Sequence, residues 1–189
     1  MLIDIQPDQV LSTFGLTGVT YFPQHTHSLM HAGTARFLAT VGLPSDKLFS
    51  TKLDLDATDL LEHRPTLKAA FDADGATLPE EAEQWEILGE FQYALVALDP
   101  RTGQLYSFAE GEEFYVPMHQ DVSSLVHALT VIETGLADLK KLPRDDDQGR
   151  AEAVEKLRTN IAQVDETPFA SEDGEWSRYF EEISLGMWG

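Results

Sequence analysis

The chain contains no cysteine and no apolar run long enough to cross a membrane. The lack of cysteine excludes a disulfide framework, a thiolate nucleophile and a cysteine metal site. The apolar runs all stay below the roughly 18 consecutive residues that a membrane span needs. The amino terminus carries Asp4 and Asp8 with no basic segment before an apolar stretch, so we expect no signal peptide. These absences predict a cytoplasmic protein that does not contact a membrane.

Basic residues are also scarce: 13 Lys and Arg stand against 33 Asp and Glu, which gives a formal net charge of −20. Such a surface repels phosphate groups, which argues against direct binding to nucleic acid or to anionic membranes. The same charge would steer a basic partner, such as a nuclease or deaminase, toward rapid encounter. Composition alone leaves open the alternative that the acidity serves only solubility.

The length of 189 residues and a hydrophobic share of 42% fit one domain, spanning residues 1–189. Strand-like segments fall in the middle of the chain and helical periodicity falls toward its ends. This order predicts an α+β fold with a central antiparallel sheet flanked by helices, because alternating βαβ units are not seen.

The predicted sheet contains residues 91–98, 104–108 and 113–117, and residues 48–55 alternate in polarity as an earlier strand would. The turn Asp99–Gly103 predicts a tight hairpin, because proline presets the first corner and glycine accepts the left-handed conformation before the return strand.

The predicted helices lie near residues 29–41, 122–137, 150–164 and 176–184. Gly42 and Pro44 should end the first of them, and Asp121 or Ser123 should cap the second. We expect a core that includes Leu95, Leu98, Val126, Leu129, Leu157, Ile161 and Phe180.

Three histidines, His25, His27 and His31, form the one metal-like cluster in the sequence. A zinc site needs a third ligand and a supporting group, for which Asp46 and His63 are candidates. We predict that this cluster holds no metal and consists of surface histidines that lead into a helix. A metal-dependent enzyme built on it remains the less favoured alternative.

A second cluster could suggest a hydrolase, because His119, Asp121, Ser123 and Ser124 lie close in sequence, with His127 nearby. No glycine-flanked serine elbow is present, and triad residues normally come from distant segments. We therefore predict helix-capping roles for the serines and assign no catalytic residue and no cofactor.

Glu110, Glu112 and Glu113 flank Gly111 in the predicted turn between two strands. Carboxylates in such a turn project from the end of a sheet, so these three residues are candidates for contact with a partner. An ordinary solvated turn is the alternative reading.

Three segments resemble the fourth family of the bacterial SUKH immunity superfamily: FLATVGLP at residues 37–44, YALVALDPRTGQLYSF at 93–108 and WSRYFEEISLG at 176–186. They occur in the family's order and span most of the chain. The resemblance implies a SUKH-like α+β domain that binds and neutralises a polymorphic toxin, often a nuclease or nucleic-acid deaminase, without enzymatic activity of its own. A regulatory or scaffold domain of the same fold is the alternative.

Overall fold

A computed structural model describes residues 2–22, 30–51, 66–74, 77–92, 94–109, 114–143, 146–172 and 174–188. The helices in this part of the chain are α1 (Pro7–Phe14), α2 (Ala32–Thr40), α3 (Leu67–Asp74), α4 (Val122–Leu139), α5 (Asp147–Ala162) and α6 (Glu175–Ser184). The strands are β1 (Val19–Thr20), β2 (Leu43–Pro44), β3 (Ser50–Thr51), β4 (Glu86–Phe91), β5 (Ala94–Leu98), β6 (Leu105–Ala109) and β7 (Val116–His119).

Strands β3 to β7 form a five-stranded antiparallel meander in chain order, and β1 pairs with β2 in a small separate sheet. Each strand of the meander is hydrogen-bonded to the next along the chain, so no crossover helix is needed. The predicted α+β fold with a central antiparallel sheet is confirmed.

The hairpin between β5 and β6 forms as the sequence predicts. The carboxylate of Asp99 accepts hydrogen bonds from the Arg101 amide at 2.9 Å and the Thr102 hydroxyl at 3.0 Å. Gly103 has a φ of 80° and donates its amide to the Asp99 carbonyl at 2.9 Å. The left-handed φ is the conformation for which glycine is preferred at this position.

The prediction of one continuous strand over residues 91–98 is wrong. Phe91 is the last residue of β4 and pairs with Ala94, the first residue of β5. The sequence does not predict this reversal, because apolar residues continue on both sides of it and no glycine or proline marks a turn there.

Two other strands are shorter or shifted relative to their predictions. The strand expected over 113–117 is observed at Val116–His119, and residue 113 lies outside the described part of the chain. Of the strand expected over 48–55, residues 50 and 51 are in β3, and residues 52–55 are not described.

All four predicted helices are present, within a few residues of their expected ends. Asp121 caps α4, and its carboxylate accepts the amides of Ser123 at 2.9 Å and Ser124 at 3.1 Å. Gly42, with a φ of 81°, follows the end of α2 as expected. The short helices α1 and α3 are not predicted by the sequence, because their apolar pattern covers one full turn at most.

Helix α4 forms the centre of the main core. It is long and apolar enough in composition to cross a bilayer, but 56% of it is buried inside the protein. Its buried residues include Leu125, Val126, Leu129 and Ile132. The apolar character of α4 is therefore used in packing against the other helices and one face of the sheet.

The sheet separates two hydrophobic clusters. The larger cluster joins the helices to the face that carries Val96 and Leu98, and the smaller one lies on the opposite face beneath α3. Of the predicted core residues, Leu98, Val126, Leu129, Leu157, Ile161 and Phe180 are buried. Leu95 is an exception, because it lies half-buried on the face that α3 covers incompletely.

Candidate functional site

A buried polar network joins β7, α4, α6 and the segment that follows α5. Oδ2 of Asp165 lies 3.2 Å from Nδ1 of His119 and accepts the Ser124 hydroxyl at 2.7 Å and the Gln120 amide at 2.8 Å. Nε2 of His119 accepts the indole N–H of Trp176 at 2.9 Å. His119, Ser124, Asp165 and Trp176 are each at most 4% exposed.

The donors and acceptors determine the protonation of His119. The Trp176 indole N–H is only a donor, so Nε2 must accept, and the imidazole proton must lie on Nδ1, facing Asp165. Burial lowers the pKa of His119, more than the attraction of Asp165 raises it, so the ring is neutral. Burial alone would raise the pKa of Asp165, but its hydrogen bonds, that from His119 first, hold it well below its usual range.

This arrangement does not form a hydrolase triad. The Ser124 hydroxyl is within donor distance of the Asp165 carboxylate and the Asp121 carbonyl, and it is sealed from solvent. The Nε2 position that would approach a substrate is occupied by Trp176. The network is a structural connection. The cap of α4 is Asp121, one of the two predicted cap residues, whereas the capping role predicted for the serines is wrong: Ser123 and Ser124 donate their amides to the Asp121 carboxylate. Asp165 was missed by sequence reasoning because it lies 46 residues from His119.

The neutral state of His119 predicts a pH dependence of stability between pH 7 and pH 5. In the unfolded chain this histidine binds a proton near pH 6.5, whereas in the folded protein it stays neutral. Because the unfolded state binds more protons, the free energy of unfolding must fall as the pH is lowered. The slope from this one group approaches about 1.4 kcal/mol per pH unit below that pH. Urea unfolding at several pH values should show that H119Q flattens this slope, although it also lowers stability overall.

His31 provides a matched control because it is exposed. The H31Q variant should keep the wild-type pH dependence. If H119Q kept the full slope between pH 7 and pH 5, His119 would not be the group that releases the proton on folding.

Of the histidines in the metal-like cluster, His31 lies among the described residues. His25, His27 and His63 lie outside the described residues. His31 precedes α2 and donates its backbone amide to the Pro100 carbonyl at 2.9 Å, which ties α2 to the β5–β6 hairpin. Asp46 accepts the amides of Leu48 and Phe49 in a tight turn. Among the residues that the structure describes, no group of three or more His, Cys, Asp or Glu side chains could hold a metal ion.

An aromatic cluster covers the outer face of the sheet. Trp85 stacks on Tyr106 with ring centroids 4.1 Å apart, and Tyr115 packs edge-on against both at 4.9 and 5.1 Å. Tyr106 and Tyr115 are half-buried, while Trp85 is buried and its indole N–H has no hydrogen-bond partner among the residues that the structure describes. Phe114, next to Tyr115, is 58% exposed. Tyrosine and tryptophan of this kind commonly act as anchors in protein interfaces.

Acidic residues are frequent in the chain segment that supplies Trp85 to this cluster. The segment over residues 66–92, which supplies α3 and β4, contains seven acidic residues and a single lysine. Glu81 accepts the Tyr115 hydroxyl at 3.0 Å, and Glu83 lies 3.4 Å from the ammonium group of that lysine, Lys68. We refer to Trp85, Tyr106, Tyr115, Glu80, Glu81 and Glu83 together as the acidic aromatic face.

The candidate partner-binding residues Glu110, Glu112 and Glu113 lie outside the described residues. The chain on either side of them is described: β6 ends at Ala109 and β7 begins at Val116. These three residues therefore fall in the chain between β6, which carries Tyr106, and β7, and their role in partner binding stays a prediction.

The comparison with protein families identifies the chain's family. A model of the SUKH-4 immunity protein family matches residues 5–182. The chain belongs to this family. Comparisons with curated proteins and with solved structures gave no match. Membership supports an immunity function and a non-enzymatic role, and it confirms the resemblance stated from the sequence.

The segments that carried the resemblance have structural roles in the fold. Residues 37–44 run from α2 into β2, residues 93–108 include the β5–β6 hairpin, and α6 supplies Trp176. Trp176 closes the buried network on His119. These landmarks maintain the fold, so the residues that select a partner must be sought on the surface.

Proposed function

We propose that this chain is a cytoplasmic immunity protein that binds and neutralises a cognate polymorphic toxin, a basic nuclease or nucleic-acid deaminase. Family membership supports the immunity role, and the net charge of −20 favours a basic partner. An inhibitor of this kind needs a rigid surface with complementary charge and no chemistry of its own.

The acidic aromatic face is the surface that best fits this function. The assignment rests on one observation: the half-buried Tyr106 and Tyr115 lie in a part of the surface where carboxylates outnumber the basic side chains. Glu80 and Glu81 are exposed at its edge, so a basic partner can reach them directly. The unpartnered indole N–H of Trp85 adds a donor that an acceptor on a partner could satisfy after a small movement.

A charge-removing variant of this face tests the proposal. We expect E80Q/E81Q/E83Q to slow association with the cognate toxin by several-fold at low salt, because the steering charge is removed. The wild-type association rate should itself fall on the order of tenfold as salt rises, because screening shortens the Debye length from roughly 30 Å at 0.01 M to 8 Å at 0.15 M. Stopped-flow or surface-binding kinetics measure both rates.

The matched control removes the same number of charges from α5, at exposed Asp147, Glu152 and Glu155. The variant D147N/E152Q/E155Q should associate nearly as fast as the wild type if the partner meets the acidic aromatic face. Equal slowing by both variants would mean that net charge matters and not this surface. A wild-type rate that is independent of salt would contradict the electrostatic account as a whole.

The turn residues are tested in the same assay. The variant E110Q/E112Q/E113Q should also slow association, since these side chains belong to the connection between two strands of the acidic aromatic face. An unchanged rate would remove this turn from the interface and leave the rest of the face in place.

A further inference from the structure

A cleft on the opposite side of the protein is not used by the proposed partner surface. It has a volume of about 620 Å³ and lies between the end of α1, the loop from β2 to β3, helix α4 and the end of α6. The residues that matter for its chemistry are Asp46, Glu133, Tyr179 and Trp188, with Lys47 and Lys140 at its rim.

Tyr179 lines this cleft, and within the part of the chain that the structure describes its hydroxyl has no hydrogen-bond partner. The side chain is only 4% exposed, and its hydroxyl oxygen is buried. A buried hydroxyl without a partner costs free energy, so such groups in folded proteins usually mark a bound water or ligand. Burial, followed by the charges of Asp46 and Glu133, raises the pKa of Tyr179 well above its usual range, so the hydroxyl stays neutral.

Two half-buried carboxylates share the cleft with this hydroxyl. One oxygen of Asp46 accepts the amides of Leu48 at 2.7 Å and Phe49 at 2.8 Å, which fixes the side chain in place. Burial raises the pKa of Asp46, and the negative charge of Glu133 raises it further. Within the described chain, neither carboxylate forms an ion pair, although lysines lie at the rim. A cation bound between them would relieve this repulsion.

The aromatic wall of the cleft favours a planar cation. The rings of Trp188 and Tyr179 lie 4.8 Å apart and meet at 72°. The Trp188 indole donates to Glu182 at 2.7 Å, which holds its ring against the cleft. A guanidinium group stacks on an aromatic face and donates to several acceptors at once, whereas an ammonium group is a more strongly hydrated point charge.

We propose that this cleft is a binding site for a guanidinium group, as carried by an arginine side chain of a protein partner. Asp46 and Glu133 supply the negative charge, Tyr179 an additional acceptor and Trp188 the stacking surface. That the arginine comes from a toxin rests on the proposed function, whereas the site itself rests on the geometry of the cleft.

The test uses capped amino acids as probes of the full-length protein. N-acetyl-arginine amide should cause saturable NMR shifts of the Trp188 indole N–H and of the Leu48 and Phe49 amides. N-acetyl-citrulline amide, which has nearly the same shape without the charge, should cause none. N-acetyl-lysine amide should bind at least several-fold more weakly.

The variants D46N and E133Q should each weaken arginine binding about tenfold, the effect of losing one charge-assisted hydrogen bond. Y179F keeps the ring and the fold and should weaken it several-fold. D138N is the matched control on α4, because Asp138 is exposed and pairs with Lys141 away from this cleft. It should bind as the wild type does.

Three results would overturn the proposal: no saturable shift, equal binding of the citrulline probe, or undiminished binding by D46N/E133Q. Equal binding of the lysine probe would contradict the preference for guanidinium. Because these probes need no toxin, failure here leaves the salt and charge tests of the proposed function unaffected, and failure of those tests does not remove the cleft.

Discussion

The D165A variant is expected to lose about 4 kcal/mol of the free energy of unfolding. The carboxylate accepts hydrogen bonds from the Gln120 amide at 2.8 Å and the Thr167 amide at 3.0 Å, and it faces Nδ1 of His119. Alanine removes this acceptor from the two partly buried amides and from buried His119, whose Nδ1 keeps only the Ser124 hydroxyl oxygen at 3.2 Å; a buried donor left unsatisfied costs about 1–3 kcal/mol. The Ser124 hydroxyl keeps its second acceptor, the Asp121 carbonyl at 2.8 Å.

Equilibrium unfolding in urea measures this loss. E166A is the control, since Glu166 is the exposed neighbour, and its stability should stay within about 0.5 kcal/mol of the wild type. D165N keeps the shape and one carbonyl acceptor, so its stability should fall between those of the wild type and D165A. A D165A variant as stable as E166A would show that the network contributes nothing to the fold.

The G89A variant is expected to lose about 3 kcal/mol, because β3 approaches β4 closely at this glycine. A Cβ on Gly89 would lie 2.3 Å from a ring carbon of Phe49 and 2.5 Å from the carbonyl oxygen of Ser50. The second contact is to backbone that pairs in the sheet, so it cannot move aside cheaply. The pairing of β4 with β5 also shifts register between Ile87 and Gly89, which limits local adjustment.

A double-mutant cycle isolates this contact. F49L shortens the side chain that meets the added methyl group, so F49L/G89A should be more stable than the sum of the two single changes predicts, by about 1 kcal/mol. Strict additivity in urea unfolding would mean that the clash with Phe49 is not the cause of the loss.

Local chemistry made part of the fold predictable. The β5–β6 hairpin follows from Asp99, Pro100 and Gly103, because their conformational preferences act within five residues. The caps and stops of α2 and α4 follow in the same way from Gly42 and Asp121. Where no such signal exists, as at the reversal after Phe91, a continuous apolar sequence predicts a single strand although the chain forms two.

The candidate sites were harder to predict than the local turns and caps, because their residues lie far apart along the chain. The sequence predicted an acidic partner surface at Glu110, Glu112 and Glu113, but it did not anticipate that Trp85, Tyr106 and Tyr115 meet on one face. Neither Asp165 beside His119 nor Tyr179 beside Asp46 could be predicted, since each pair is separated by dozens of residues.

By itself the sequence determined the class of fold, the immunity family and the strong negative charge. Turn chemistry and family landmarks are properties of short segments, and net charge is a property of the overall amino-acid composition. Only the tertiary structure decided which polar groups are sealed in the core and which face the surface. That difference arises because burial and hydrogen-bond partners depend on how β7, α4 and α6 pack together, and no single segment carries that information.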